Sequence, residues 1–100
     1  MDRRLIWTEK SSEDIEAIVR YIGRRNPEAA ARVGNGIYER AQILLSNPEA
    51  GSTLEELRYA GWRKLIFRRW KIIYVVRADE ILIGRVWPAE LGEADLNTPL

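Results

Sequence analysis

Trp62-Arg63-Lys64-Leu65-Ile66-Phe67-Arg68-Arg69-Trp70-Lys71-Ile72-Ile73-Tyr74-Val75-Val76 is the stretch on which the fold turns. Two runs of β-branched and aromatic residues, each of strand length, are separated only by Arg68 and Arg69. So short a connection predicts antiparallel neighbours. A third run, Ile81 to Trp87, follows Ala78-Asp79 and predicts a second hairpin. Neither connection contains Gly or Asn, so no turn type is predicted. The middle of the second run is apolar on both faces. Trp70, Ile72, Tyr74 and Val76 share one side; Ile73 and Val75 lie on the other, flanked by Lys71 and Arg77. A sheet with helices on one side only alternates more cleanly than this. Either the chain's own loops and tail bury the second face, or a partner covers it.

Upstream the period changes from two to 3.6. Ile15, Ile18, Val19 and Ile22 recur at helical spacing, with Ser11 as the expected N-cap and Asp14 three residues on. Asn26-Pro27 restarts the chain, Asn as cap and Pro in the first helical position. Ala30, Val33, Ile37, Ala41 and Leu44 form a second stripe, ended by Asn47-Pro48. Gly34 and Gly36 weaken that helix by about 1 kcal/mol each relative to alanine and suggest close packing against the first. The short joint predicts an antiparallel helix hairpin. Arg4 to Trp7 is a candidate first strand. The sum is one α+β domain over residues 1–100, in the order βααβββ, with an N-terminal strand and a C-terminal antiparallel sheet.

The 100 residues are 46% hydrophobic, enough for one small core that buries about 65% of the unfolded surface. Cysteine and histidine are both absent. Disulfides, thiolate catalysis and cysteine metal sites are excluded, and the usual general base is missing. The opening Met1-Asp2-Arg3-Arg4-Leu5-Ile6-Trp7 lacks the apolar stretch of a signal peptide. No run reaches the roughly 18 apolar residues of a membrane span. The protein reads as cytoplasmic, without cofactor or metal.

The net charge of +1 hides an asymmetry. Arg58, Arg63, Lys64, Arg68, Arg69, Lys71 and Arg77 fall within residues 57–78, which hold no acid. Asp79, Glu80, Glu90, Glu93 and Asp95 follow, against Arg85 alone. The block is either a solvated face balanced by acids elsewhere or the footprint of an anionic partner. Aromatics interleave it at Arg58-Tyr59, Trp62-Arg63-Lys64 and Arg68-Arg69-Trp70-Lys71. Arginine forks bind phosphate or carboxylate, and aromatics stack bases or fill pockets. Trp70, in phase with Ile72 and Tyr74, reads as a core residue. Glu55-Glu56 reads as solvated charge. No phosphate-binding glycine loop, metal cluster or nucleophile–base pair is visible.

The order of elements and several residues together resemble the RelE/ParE toxin superfamily. Asp14-Ile15 with Tyr21-Ile22 is similar to its first-helix pattern, and Asn26-Pro27 with Ala30 to the start of its second. Ile37, Leu44, Pro48 and Gly51 resemble the helix end and following loop. Gly61-Trp62-Arg63, Leu65 and Ile72-Ile73-Tyr74 resemble the sheet signature. The matches span residues 5 to 87.

The resemblance implies a type II toxin, stable and neutralised by a labile antitoxin. RelE-like members cleave mRNA on the ribosome with basic residues and a C-terminal tyrosine; ParE-like members inhibit DNA gyrase. Fold alone does not choose between them. Arg63 matches the family's middle-strand arginine. Where the nuclease pattern has basic and tyrosine residues, this chain has Trp87-Pro88-Ala89-Glu90-Leu91. Proline and glutamate do not stabilise an anionic transition state. The ParE-like reading, gyrase inhibitor and not an enzyme, is therefore preferred over an mRNA interferase and over an antitoxin-binding member of little toxicity. The acidic tail departs from the ParE pattern too, which usually carries basic residues after the last strand. Candidate target-binding residues are Trp62, Arg63, Lys64, Arg68 and Arg69. Candidate antitoxin-binding residues are Arg63, Lys71, Ile73 and Val75. An amphipathic antitoxin segment would cover Ile73 and Val75 and pair its acids with Arg63 or Lys71. Arg63 is expected to serve activity, its structural alternative being an ion pair with Glu55, Glu56 or a tail acid.

Overall fold

The computed structural model describes residues 2–55 and 59–89. They run β1 (Arg4–Trp7), α1 (Glu9–Gly23), α2 (Pro27–Ala41), a 3-10 turn (Gln42–Leu45), β2 (Ser52–Thr53), β3 (Trp62–Phe67), β4 (Trp70–Val76) and β5 (Glu80–Pro88). The order is the α+β one expected, with β2 as an addition. A two-residue strand with no apolar pattern leaves no periodicity to read. The sheet order is β1-β5-β4-β3-β2. β1 lies parallel to β5, and all other pairs are antiparallel.

The first helix starts earlier than its apolar stripe suggests. Thr8 is the N-cap, its Oγ1 accepting from Ser11 N at 3.1 Å. Ser11 is inside the helix, with its hydroxyl on Thr8 O. The second helix begins as read: Asn26 Oδ1 accepts from Ala29 N at 3.0 Å, with Pro27 in the first turn. Its stripe is wholly buried, including Ala41 and Leu44. The α-helix itself stops at Ala41 and tightens into the 3-10 turn that carries Leu44. Gly34 does seat α2 on α1, since a Cβ there would lie 2.9 Å from Val19 Cγ2. Gly36 instead faces the Phe67 ring of β3, which a Cβ would strike.

The helices cover one face of the sheet. Ile15, Ile18, Val33 and Ile37 meet Leu65, Ile72, Tyr74, Ile81, Ile83 and Val86 in the main core. Trp70 packs against it, as its phase predicts. A smaller cluster on the opposite face joins Leu54, Tyr59, Ile73 and Trp87, with Trp62 against it.

Two local devices shape the sheet. Ile73 faces Arg85 while Tyr74 faces Ile83, so Gly84 is an extra residue in β5, a bulge that bends the strand. β1 ends at Trp7, opposite Ile83, and α1 takes over the exposed edge of β5. Thr8 Oγ1 donates to Gly84 O at 3.0 Å, and Val86 N donates to Asp14 Oδ2 at 2.9 Å. The β3–β4 hairpin turns through Arg68 at φ 55°, the one non-glycine with positive φ among the described residues. A two-residue hairpin demands that backbone, and an L side chain holds it at a cost of about 1–2 kcal/mol.

Candidate functional site

Apart from Arg58, which lies outside the described residues, and Arg77, which pairs with Glu80 at 3.3 Å, the basic block is dealt out to three environments. Arg63 points to the helix side, paired in register with Tyr74. Its Nη1 donates to Gly51 O at 2.6 Å. Tyr74 Oη donates to Pro48 O at 2.8 Å and accepts from Gly51 N at 2.9 Å. Gly51 sits so close that a Cβ would run into Lys64 O. The three side-chain bonds clamp the loop between α2 and β2 onto the sheet. Burial pushes the Tyr74 phenol above its ordinary range, against the lowering effects of the Gly51 hydrogen bond and the Arg63 charge; Glu49 adds to the rise. Of the acids expected as structural partners of Arg63, only Glu55 lies among the described residues, and it does not pair with Arg63. Among the described residues its partner is a neutral carbonyl, because β2 brings the loop backbone to it. Glu56 and the tail acids lie outside the described residues.

Lys64, Lys71, Ile73 and Val75 share the opposite face. Ile73 is completely buried and Lys71 is 2% exposed. Of the two explanations for the apolar middle of β4, the chain's own cover is the one found at Ile73. Leu54, Tyr59 and Trp87 close over it, which corrects the expectation that Ile73 offers surplus surface to a partner. Lys71 and Lys64 both have partners within the structure. Trp62 and Val75 are half-buried, and of the antitoxin candidates Val75 retains the most accessible apolar surface. Trp87 buries its ring with Nε1 unpartnered, and the Arg85 guanidinium lies 5.7 Å from the ring centroid. Arg85 is also tied to Asp14, Nε to Oδ2 and Nη2 to Oδ1, both at 2.8 Å. The sequence reading spent Asp14 on a helix cap; it serves as a clamp on the sheet edge.

Arg68 and Arg69 have the third environment, the exposed tip of the β3–β4 hairpin. Arg68 lies over the Phe67 ring at 5.5 Å. With Tyr21, Ile22, Val33 and Trp70 they line a cavity of about 330 Å³. It adjoins a second, of about 510 Å³, that shares Tyr21 and Ile22 and adds Arg24, Arg25 and Asn26 from the α1–α2 turn. Sequence reading missed Tyr21, Arg24 and Arg25 as partners of the basic block. The Arg24-Arg25 pair is visible, but over forty residues separate it from Arg68. Among the described residues no cluster of acids suits a metal ion. No described helix is long and apolar enough to cross a membrane.

A family model described as the ParE toxin of the type II toxin–antitoxin system parDE matches residues 5–90. The chain belongs to that family. This ParE-family toxin matches no curated protein significantly in sequence. Among solved structures it is similar to a chain of the chromosomal ParDE system of P. aeruginosa, with 27% identity and TM-score 0.75 over 86% of this chain and 95% of that one. Two more distant likenesses show the shared fold. One is to the DinJ-YafQ toxin–antitoxin complex of E. coli, at 13% identity and TM-score 0.65 over 92% of this chain and 98% of that one. The other is to a mutant of E. coli RelE in the free state, at 19% identity and TM-score 0.61 over 93% and 90%. The toxin thus has the RelE/ParE α+β fold and is the toxin component of a type II system.

Proposed function

We propose that this toxin is a ParE-like inhibitor of DNA gyrase, acting in the cytoplasm and neutralised by a cognate antitoxin, and that it is not a ribonuclease. The observation that carries the reading is the end of β5. RNA cleavage needs one group to activate the 2′-hydroxyl and another to protonate the leaving oxygen, with cations on the phosphorane. Trp87, Pro88 and Ala89 stand there, and the Trp87 ring is turned into the second core. Arg85, the cation before them, is committed to Asp14. Tyr59 and Lys64 are the side chains near Arg63 that could stand in for the missing groups; Tyr59 is 7% exposed within the same cluster, and Lys64 already has a partner. The remaining part of the nuclease comparison, Glu90, Leu91 and the acidic tail, lies outside the described residues.

An antitoxin of amphipathic character suits the toxin best around Val75 and the half-buried Trp62 and Lys64 on the same face, with Ile73 and Lys71, both buried, acting as support beneath rather than as contacts. The purified toxin should block supercoiling of relaxed plasmid by gyrase and leave a defined mRNA on translating ribosomes intact. Site-specific mRNA cleavage would overturn the reading in favour of an interferase. Inactivity in both assays, with tight antitoxin binding retained, would assign the chain to a weakly toxic branch.

A further inference from the structure

We propose that the end of the molecule where the α1–α2 turn meets the β3–β4 hairpin binds the phosphate backbone of a nucleic acid, through Arg24, Arg25, Arg68 and Arg69, with Tyr21 as a platform for a base. The two cavities that meet at Tyr21 and Ile22 set all four arginines around one depression. All four are exposed, and among the described residues no hydrogen bond or ion pair engages their guanidinium groups. Glu28 and Glu39 on α2 are the nearest acids in sequence on that helix, and neither forms an ion pair with them. Planar guanidinium forks match phosphate oxygens two at a time.

Tyr21 adds a second, independent observation. It lies off the apolar stripe of α1 and is 73% exposed, the most exposed large hydrophobic side chain in the described structure. Tyr38, Ile43, Leu45 and Ile66, the other exposed ones, do not line the two cavities. Ile22, Val33 and Trp70 form the partly or fully buried apolar floor of the cavity; Tyr21 is the exposed ring at its rim, among four exposed cations, the pattern of single-strand nucleic-acid platforms. The backbone points the same way. Arg68 occupies the left-handed region at φ 55°, where glycine or asparagine sits with less strain, so the hairpin tip carries a strained arginine in place of an easier residue.

The inference is independent of the gyrase reading, because its test uses the toxin alone. Fluorescence anisotropy would follow a short fluorescein-labelled oligonucleotide as single-stranded DNA, duplex DNA and single-stranded RNA. Salt would vary between about 50 and 200 mM. For four phosphate contacts log K should fall with log salt at a slope of about −3 on a single strand. Removing all four arginines should weaken binding about a hundredfold or more and bring the slope near zero. Tyr21→Ala should weaken single-strand binding about tenfold and leave the duplex unchanged. Arg3→Ala with Arg77→Ala, at the far end of β4, is the control and should change little. Which oligonucleotide binds identifies the nucleic acid. Three results would each overturn the proposal: no binding at the lowest salt, equal losses in the control pair, or stronger binding of a poly-glutamate peptide than of any oligonucleotide. Thermal melts verify that the variants fold, and Arg68→Glu with Arg69→Glu gives a two-residue version of the same test.

Discussion

Arg63 and Arg68 stand five residues apart on one hairpin and live under opposite conditions. Arg63 is half-buried with its guanidinium on Gly51 O; Arg68 is exposed at a strained turn with no hydrogen-bonded partner among the described residues. Arg85 and Arg69 repeat the contrast, one locked to Asp14 and the other open. The difference lies in what the fold brings to each strand position. A loop carbonyl reaches β3 because β2 pairs with it, and a helix carboxylate reaches β5 because β1 stops short. The hairpin tip projects beyond both. A basic block is therefore not one functional unit. It divides into cations that hold the fold and cations available to a partner.

The held cations should give the largest effects. Asp14→Ala removes both of the Asp14 hydrogen bonds to Arg85 and leaves Val86 N without its acceptor, at side chains that are 12% and 16% exposed. Breaking such a pair costs about 3 kcal/mol or more, a fall in Tm of roughly 12 °C or more for a domain of this size. A melt within about 2 °C of the parent would show that Asp14 does not hold the fold and that Arg85 is no more committed than Arg69.

Next in size comes the loop clamp. Tyr74→Phe leaves Gly51 N and Pro48 O without their buried partner, at about 1–3 kcal/mol, and Arg63→Ala should cost about 1–2 kcal/mol. The two should couple in a double-mutant cycle by about 0.5 kcal/mol or more; simple additivity would show that they do not act as one clamp. The clamp also has a pH signature. Burial raises the Tyr74 pKa, so the folded chain favours the neutral phenol. The stability this gives is complete below the unfolded value of about 10 and is lost as pH rises through the folded value. Urea titrations above pH 10 should show a smaller alkaline loss in Tyr74→Phe than in the parent. Equal losses would assign the alkaline sensitivity to other groups.

The helix hairpin was legible because its apolar residues keep a helical period, Ile15 to Ile22 and Ala30 to Leu44, and the three main strands because β-branched and aromatic runs of strand length from Trp62 to Trp87 are broken only by short connections. Caps were legible where the signal is compact, as at Asn26-Pro27. At α1 the apparent capping spacing at Ser11 and Asp14 misled, because Thr8 caps the helix and Asp14 serves the sheet. Ile73 was readable as apolar on the second face but not as closed by Leu54 and Tyr59, since a loop leaves no periodic trace. The candidate surface was half legible for a related reason. Arg68 and Arg69 announce themselves, while their meeting with Tyr21, Arg24 and Arg25 exists only once α1 and β4 are packed. Family resemblance carried the system type; it carried none of these side-chain environments.

The smallest expected effect is the one that tests the contrast from its open side. Arg69→Ala removes an exposed side chain with no ion pair among the described residues and should stay within about 0.5 kcal/mol of the parent. Arg68→Asn should be close to neutral, because relief of backbone strain offsets a lost contact. Asparagine tolerates the left-handed region more readily than arginine, so relief of the strain at φ 55° should raise stability by about 0.5 kcal/mol, a few degrees in Tm. The backbone N–H and carbonyl of the turn are untouched, so nothing offsets the gain except the loss of the Arg68–Phe67 contact at 5.5 Å, which is worth about 0.5 kcal/mol at an exposed site. The two terms nearly cancel, so the net change is expected within about 0.5 kcal/mol of zero. Toxicity or nucleic-acid binding should fall in the same variant. If Arg68→Asn instead melts well below the parent, the tip is part of the structural set, and the division between held and open arginines fails at the residue that defines it.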